Sequence, residues 1–173
     1  AVISLGIGFK KMSVDFDRAE ITAGGGAMLA YVTTKAFASN FTGIEFLAGI
    51  PGSVGGSISH NAGSKRKSIG DLVQNLVLFH PTEWLTRYNH SDVEWYYRYT
   101  TLPTDRIILE ATFMFEKSER ATIRAKMEGE LNRRKREQPL NTFNCGSIFR
   151  DTTKIPVSKM IEKGFTPEQI LEA

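Results

Sequence analysis

The residues best suited to chemistry fall in three places. The first is Gly43 to Gly63, where glycines at 49, 52, 55, 56 and 63 are interspersed with Pro51, Ser53 and Ser57. Backbone stripped of side chains along a continuous path can approach a bulky ligand, and its N–H groups can converge on an anion. The segment lacks the Lys-Ser/Thr ending of a P-loop and has no G-x-G-x-x-G between a strand and a helix. On residue types alone it reads equally as a phosphate cradle or as a cluster of structural turns. The second place is Glu94 to Thr100, where Trp95, Tyr96, Tyr97 and Tyr99 surround Arg98. A guanidinium there matches carboxylate geometry, or it stacks on a ring inside an aromatic cluster. The third is Asn141 to Asp151, with Cys145, Gly146, Ser147 and Arg150. No His or acid lies beside Ser147, and G-x-S-x-G is not matched, so the residues alone favour a tight bend over a hydrolase nucleophile. Cys145 reads as readily as a buried small residue as a reactive thiol.

These residues need a scaffold, and 173 residues with 41% hydrophobic content suffice for one ordinary core or two small ones. Glu20 and its neighbours, Arg18 to Ala23, read as a strand, as do Val2 to Leu5 and, more weakly, Ser13 to Phe16. Gly24-Gly25-Gly26 breaks the pattern before a helix over Ala27 to Ser39, with Asn40 as its stop. Leu72 to His80 reads as a strand, Pro81-Thr82 as a turn and Trp84 to Tyr88 as a returning strand. Arg106 to Glu116 is the clearest strand, with Ile107, Leu109, Ala111, Phe113 and Phe115 on one face. Ser118 to Gln138 is the clearest helix, capped by Ser118, striped by Ile123, Met127 and Leu131 and stopped by Pro139. Pro156 to Lys163 reads as a short helix closed by Gly164, and Thr166-Pro167 as the start of another. The sum is a mixed α+β protein with mostly antiparallel pairing.

The net charge of +3 is mild, and much of it sits in Arg133-Arg134-Lys135-Arg136. It suits phosphate-bearing small molecules without requiring nucleic acid, because one basic helix end is usually solvated. A single cysteine forms no internal disulfide and fits a reducing, cytoplasmic compartment. No stretch approaches the roughly 20 apolar residues needed to cross a bilayer. No metal site, membrane partner or nucleic-acid partner is therefore expected, and the oligomeric state is open.

The run GIEFLAGIPGSVGGSISHNAGS resembles the signature loop of the UDP-N-acetylenolpyruvoylglucosamine reductase family, usually called MurB. The preceding ITAGGGAMLAYVTTKA is similar to that family's strand, glycine turn and helix. The resemblance implies an FAD-binding domain of the vanillyl-alcohol-oxidase (PCMH) type over 1–117, and part of a substrate-binding domain over 118–173. It implies flavin contacts at Gly24, Gly49, Ile50, Pro51, Gly52, Ser53, Gly55, Gly56, Asn61 and Ala62. Tyr97-Arg98-Tyr99-Thr100 before a strand is similar to the family's Tyr-Arg motif, with Thr100 where Ser is usual. By resemblance Arg98 polarises the carboxylate of an enolpyruvyl substrate and Tyr97 helps to bind it. RRKREQPLNTFNCGSIFRD is similar to the family's second motif, which makes Ser147 the proton donor and Arg150 a substrate contact. Arg150-Asp151-Thr152 replaces the family's Lys-Asn-Pro.

The implied cofactors are FAD and NADPH, and the implied partner is a UDP-sugar, reduced to UDP-N-acetylmuramate for peptidoglycan. The family is longer at both ends and carries a catalytic Glu near its C-terminus. Glu162, Glu168 and Glu172 do not stand in the matching context. The chain is thus expected to be a piece that alone binds FAD poorly and turns over slowly. The rivals are another flavin oxidase of the same fold, a non-catalytic flavin- or nucleotide-binding module, and a nucleic-acid binder using Arg133 to Arg136.

Overall fold

In the computed structural model, residues 4–64, 67–138 and 157–171 are described. Alternation of apolar and polar residues builds the central sheet. Strands β1 (Met12–Asp15), β2 (Glu20–Gly24), β6 (Val73–His80), β7 (Trp84–Asn89) and β10 (Ile107–Met114) pair in the order β1-β2-β10-β6-β7, every pair antiparallel. Two-residue strands fill the connections: β3 (Phe41–Thr42), β4 (Gly63–Ser64), β5 (Lys67–Ser68), β8 (Trp95–Tyr96), β9 (Tyr99–Thr100) and β11 (Glu116–Lys117). Helices α1 (Leu29–Ala38), α2 (Val54–Ser59) and α3 (Arg120–Glu137) complete the first compact unit, residues 1–138.

One face of the sheet, with Ile21, Ala23, Leu76, Leu78, Ala111 and Phe113, is buried in a single cluster with Leu29, Val32 and Ala36 of α1 and Val54 and Ile58 of α2. Each large side chain so enclosed contributes about 1.5–3 kcal/mol relative to exposure. Thr22 and Thr112, which alternate with these residues, hydrogen-bond to each other at 3.0 Å instead.

The chain departs from the sequence expectations in instructive places. Ala111 and Phe113 on β10 and Phe115 just after it are buried, but Ile108 is buried where Ile107 and Leu109 were expected to be. A β-bulge causes this: Ile108 faces Leu78 and Glu110 faces Val77, so Leu109 has no partner on β6. Its carbonyl accepts a hydrogen bond from the Gly25 N–H at 2.7 Å. Of the strand expected over Val2 to Leu5, Val2 and Ile3 lie outside the described residues and Ser4 and Leu5 belong to no strand; a 3-10 turn, Ile7–Lys10, follows. Asn40 ends α1 in left-handed backbone, φ 59°, as its residue type suggests. Gly43 to Gly63, which has no clean period and reads as mostly turns and short pieces, holds one short α-helix, α2. The Ser53 side chain caps it by accepting from the Gly56 N–H at 3.2 Å, and Val54 and Ile58 share its buried side.

Helix α3 packs on the first unit rather than opening the second. Ile123 is buried, Lys126 Nζ donates to Thr42 Oγ1 at 3.0 Å, and Thr42 in turn donates to the buried Glu45 carboxylate. Ser118 does not cap α3: its N–H donates to the Asn40 carbonyl, continuing the β11–β3 pairing, and Glu119 takes the N-cap position without a side-chain bond. The 117/118 division expected for the family's domains therefore runs inside this unit. The second unit holds α4 (Val157–Glu162) and α5 (Pro167–Leu171), with Val157, Met160 and Ile170 buried together. Gly164, φ 78°, closes α4, with Phe165 N–H on the Met160 carbonyl and Gly164 N–H on the Ile161 carbonyl. Thr166 and Gln169 exchange a capping pair at the start of α5. No helix among the described residues is long and apolar enough to cross a membrane.

Candidate functional site

Two glycine-rich turns meet at the ends of β2 and β10. Gly55 N–H donates to the Gly25 carbonyl at 2.8 Å, Val54 N–H to the Ala27 carbonyl at 2.8 Å, and Leu29 N–H to the Gly52 carbonyl at 2.9 Å. Backbone therefore packs on backbone. A Cβ on Gly25 would stand 1.9 Å from the Ile108 carbonyl oxygen, and one on Gly24 would stand 2.1 Å from that of Phe9. The absent side chains of Gly24 and Gly25 are required by the protein's own interior. Gly24 also donates its N–H to the Lys11 carbonyl and accepts from Ala27.

Beyond that contact the second turn opens outward. Gly49, Pro51, Gly52 and Gly56 are exposed, backed by buried Val54, Ser57 and Ile58. Ile50 and Ser53 are half-buried, and Gly55 lies between the exposed strip and Gly25. The strip offers α-carbons and one proline ring, a surface that a flat molecule can approach closely. Gly49, at φ 80°, lies under the side chains of Leu131 and Arg134, whose nearest atoms would stand 3.1 and 3.3 Å from a Cβ there.

Arg134 is the residue that sequence reasoning missed. It was expected on a solvated basic helix end, yet it is 8% exposed. One Nη donates weakly to the Phe46 carbonyl at 3.4 Å, and its Nε has no hydrogen-bond partner. Burial, then the neighbouring Arg133 and Arg98 guanidinia, push its pKa below the ordinary arginine value. The signal lay in the spacing: 134 continues the stripe of 123, 127 and 131 by three residues. Arg133 is handled differently. Glu130 and Glu137 hold it, with hydrogen bonding to Glu130 chiefly raising its pKa, and it donates to Ser64 Oγ.

Arg98 sits in the two-residue turn of the β8–β9 hairpin, at φ 57°. Left-handed backbone is uncommon for a non-glycine residue and costs energy that the surroundings must supply. Its guanidinium lies over the Tyr97 ring at 4.9 Å and donates to the Gly63 carbonyl at 3.1 Å. Stacking and hydrogen bonding thus coexist. Tyr97 itself is half-exposed. Asn61 is buried, with both ends of its carboxamide bonded inside the protein, and Ala62 joins the Ser57 carbonyl and the Ile69 N–H through its backbone.

Residues 1–82 match the family described as "FAD binding domain". The chain is 36% identical over 167 residues to UDP-N-acetylenolpyruvoylglucosamine reductase 1 of Bacillus cereus, covering 94% of this chain and 54% of the relative. It is 35% identical over 153 residues to the like-named reductase of Pediococcus pentosaceus, covering 85% and 51%. The chain belongs to the MurB family. The crystal structure of the Thermus caldophilus UDP-N-acetylenolpyruvylglucosamine reductase (MurB) superimposes with a TM-score of 0.81 over 92% of this chain and 57% of that one, at 23% identity. The fold is therefore shared, in line with the expected α+β, FAD-binding architecture. The chain spans about half the length of the curated relatives it matches.

Against the family's motifs, Arg98 and Tyr97 lie beside the far end of the glycine-rich segment, at Gly63. Ser147 and Arg150, together with Cys145, fall outside the described residues. An exposed strip of glycine backbone, bordered at Gly49 by the Arg134 side chain, offers a flat planar group a surface it can approach closely.

Proposed function

We propose that this protein serves the MurB reaction: NADPH-dependent reduction of the enolpyruvyl group of a UDP-sugar, through FAD, to UDP-N-acetylmuramate in the cytoplasm. The observation that carries the reading is the open glycine strip Gly49–Gly56, bordered at Gly49 by the Arg134 side chain, with Arg98 held against Gly63 at the end of the same segment. Family membership supplies the substrate class.

In this reading Gly49, Pro51, Gly52 and Gly56 would admit the flavin, with Arg134 bordering them at Gly49. FAD, when bound, relays hydride from NADPH to the substrate. Arg98 holds the enolpyruvyl carboxylate, and its charge stabilises the negative charge that develops there as hydride arrives at the neighbouring alkene. Tyr97 covers one face of the guanidinium by stacking on it. Ser147 delivers the proton to the adjacent carbon, a role that rests on the resemblance of the second motif. A serine hydroxyl is a weak acid, so this step suits a strongly basic enolate. Arg150 contributes a cation toward the substrate.

The test is the absorbance spectrum of the purified protein with added FAD, followed by NADPH consumption with and without UDP-N-acetylglucosamine enolpyruvate. The reading expects a bound flavin spectrum, weak for residues 1–173 alone, and at most slow substrate-dependent oxidation of NADPH by them. Bound flavin without substrate-dependent turnover selects the non-catalytic module, and the absence of any bound flavin removes the proposal.

A further inference from the structure

The hairpin that carries Arg98 touches the glycine-rich segment at every second residue. Thr100 Oγ1 donates to the Ser59 carbonyl at 3.4 Å, the Asn61 Nδ2 donates to the Tyr96 carbonyl at 2.8 Å, and Arg98 donates to the Gly63 carbonyl at 3.1 Å. Of the three, the Asn61 contact is the shortest and the most enclosed, since Asn61 is 3% exposed. The other end of its carboxamide, Oδ1, accepts from the Gly70 N–H at 3.0 Å. Gly70 in turn forms the floor beneath Trp95: a Cβ there would stand 2.4 Å from the indole ring. The opposite support is His90, whose ring stacks on Trp95 at 5.7 Å between centroids and 13° between planes. Trp95 Nε1 also donates to the His90 carbonyl at 3.4 Å.

Asn61 therefore joins three segments with one side chain: the end of α2, the 3-10 turn at Gly70, and β8, two residues before Arg98. Its own backbone is left-handed, φ 42°, a conformation that Asn tolerates better than most residues. At 3% exposure, with its donor and acceptor ends each bonded to backbone, this carboxamide is directed into the protein rather than toward a ligand.

We propose that Asn61 is a positioning residue for Arg98: its carboxamide locks the β8–β9 hairpin onto the end of α2 and so fixes where the guanidinium stands. This assigns Asn61 a different task from the direct flavin contact that the family resemblance implied. The inference rests on the reading of Arg98 as the group that holds the substrate carboxylate.

Asn61→Asp is the discriminating variant. It keeps the volume, the tolerance for left-handed backbone and an acceptor for Gly70, but turns the donor facing the Tyr96 carbonyl into a second acceptor. Hydrogen exchange on the ligand-free protein should show the Glu94–Thr101 amides opening about tenfold faster, as expected for loss of one buried hydrogen bond, with α2 amides changed less than about twofold. Stopped-flow measurement should show flavin affinity and flavin reduction by NADPH within about threefold of the parent. Oxidation of the reduced protein by the enolpyruvyl substrate should slow about 10- to 100-fold. In an Arg98→Ala background Asn61→Asp should slow that step no further.

Additive losses in the double variant, or a flavin affinity that falls in step with the substrate step, would overturn the proposal. If the parent protein never passes electrons to the enolpyruvyl substrate, the functional reading fails on its own. Hydrogen exchange then decides the positioning role, and unchanged protection in the hairpin rejects it.

Discussion

Two glycine clusters lie side by side in this fold and use the same residue for opposite ends. At Gly24 to Gly26 the missing side chains are occupied by the protein: the Phe9 and Ile108 carbonyls and the Leu5 side chain stand where Cβ atoms would be. At Gly52 and Gly56 only the Ser57 and Ser53 hydroxyls come near the missing side chains, and with Gly49, bounded by Leu131 and Arg134, they form an exposed strip. The two meet through Gly55, whose N–H reaches the Gly25 carbonyl. The inner cluster makes the outer one possible, because only backbone-to-backbone packing brings the second turn close enough to the sheet to be held flat. Glycine content therefore indicates close approach, and the structure is needed to say whether the approaching group belongs to the chain or to a ligand.

The largest expected effect breaks the inner cluster. Gly25→Ala places a methyl 1.9 Å from a carbonyl oxygen on the central strand, and neither backbone segment can swing away without losing its hydrogen bonds. The expected cost is about 3 kcal/mol or more, close to the upper end for overpacking. For a domain of this size that corresponds to a fall in melting temperature of roughly 6–12 °C, readable by calorimetry without any ligand. A variant that melts with the parent would show that the inner cluster is not the support assumed here.

Much of this arrangement was legible in the sequence. Period-two runs located the sheet, Asn40 and Gly164 marked helix ends, and the glycine-rich run marked the open strip. What the sequence hid were the departures from period. The bulge at Leu109 shifts the phase of β10, so Ile108 rather than Leu109 turns inward, and it is the bulge that presents both carbonyls to Gly25. Arg134 was hidden for another reason. Inside a run of four basic residues its charge suggests solvent, and only its place on the helical stripe shows that it faces Gly49. Asn61 reads as a loop residue until the hairpin 35 residues away is seen to close on it.

The middle-sized effect acts on the boundary of the outer strip. Burial and two neighbouring guanidinia depress the Arg134 pKa, so its charge opposes folding at every pH below the folded-state value. That opposition fades only as pH rises through it. Arg134→Met should therefore leave the ligand-free protein as stable as the parent, or more stable by up to about 1 kcal/mol. If the unpartnered Nε serves a flavin, affinity for FAD should fall about 10- to 30-fold, the loss of one charged hydrogen bond. Titration of FAD against parent and variant, with urea melts of both, separates the two quantities. Loss of stability with unchanged affinity would make Arg134 a purely internal support for Phe46 and Gly49.

The smallest effect tests the outer strip itself. Gly56 lies in α2, exposed, with its would-be Cβ 3.3 Å from the Ser53 hydroxyl that caps the helix. Alanine is the better helix former by about 1 kcal/mol, and a slight displacement of the Ser53 cap offsets part of that gain. Gly56→Ala should thus leave stability within about 0.5 kcal/mol of the parent, in contrast with Gly25→Ala. The added methyl nevertheless stands on the surface that the flavin is proposed to meet, so affinity for FAD should weaken about three- to tenfold. A helix that would tolerate alanine but holds glycine on its open face has a reason outside its own folding. Equal flavin affinity in Gly56→Ala and parent would place the contact surface elsewhere and reduce the outer strip to a turn like the inner one.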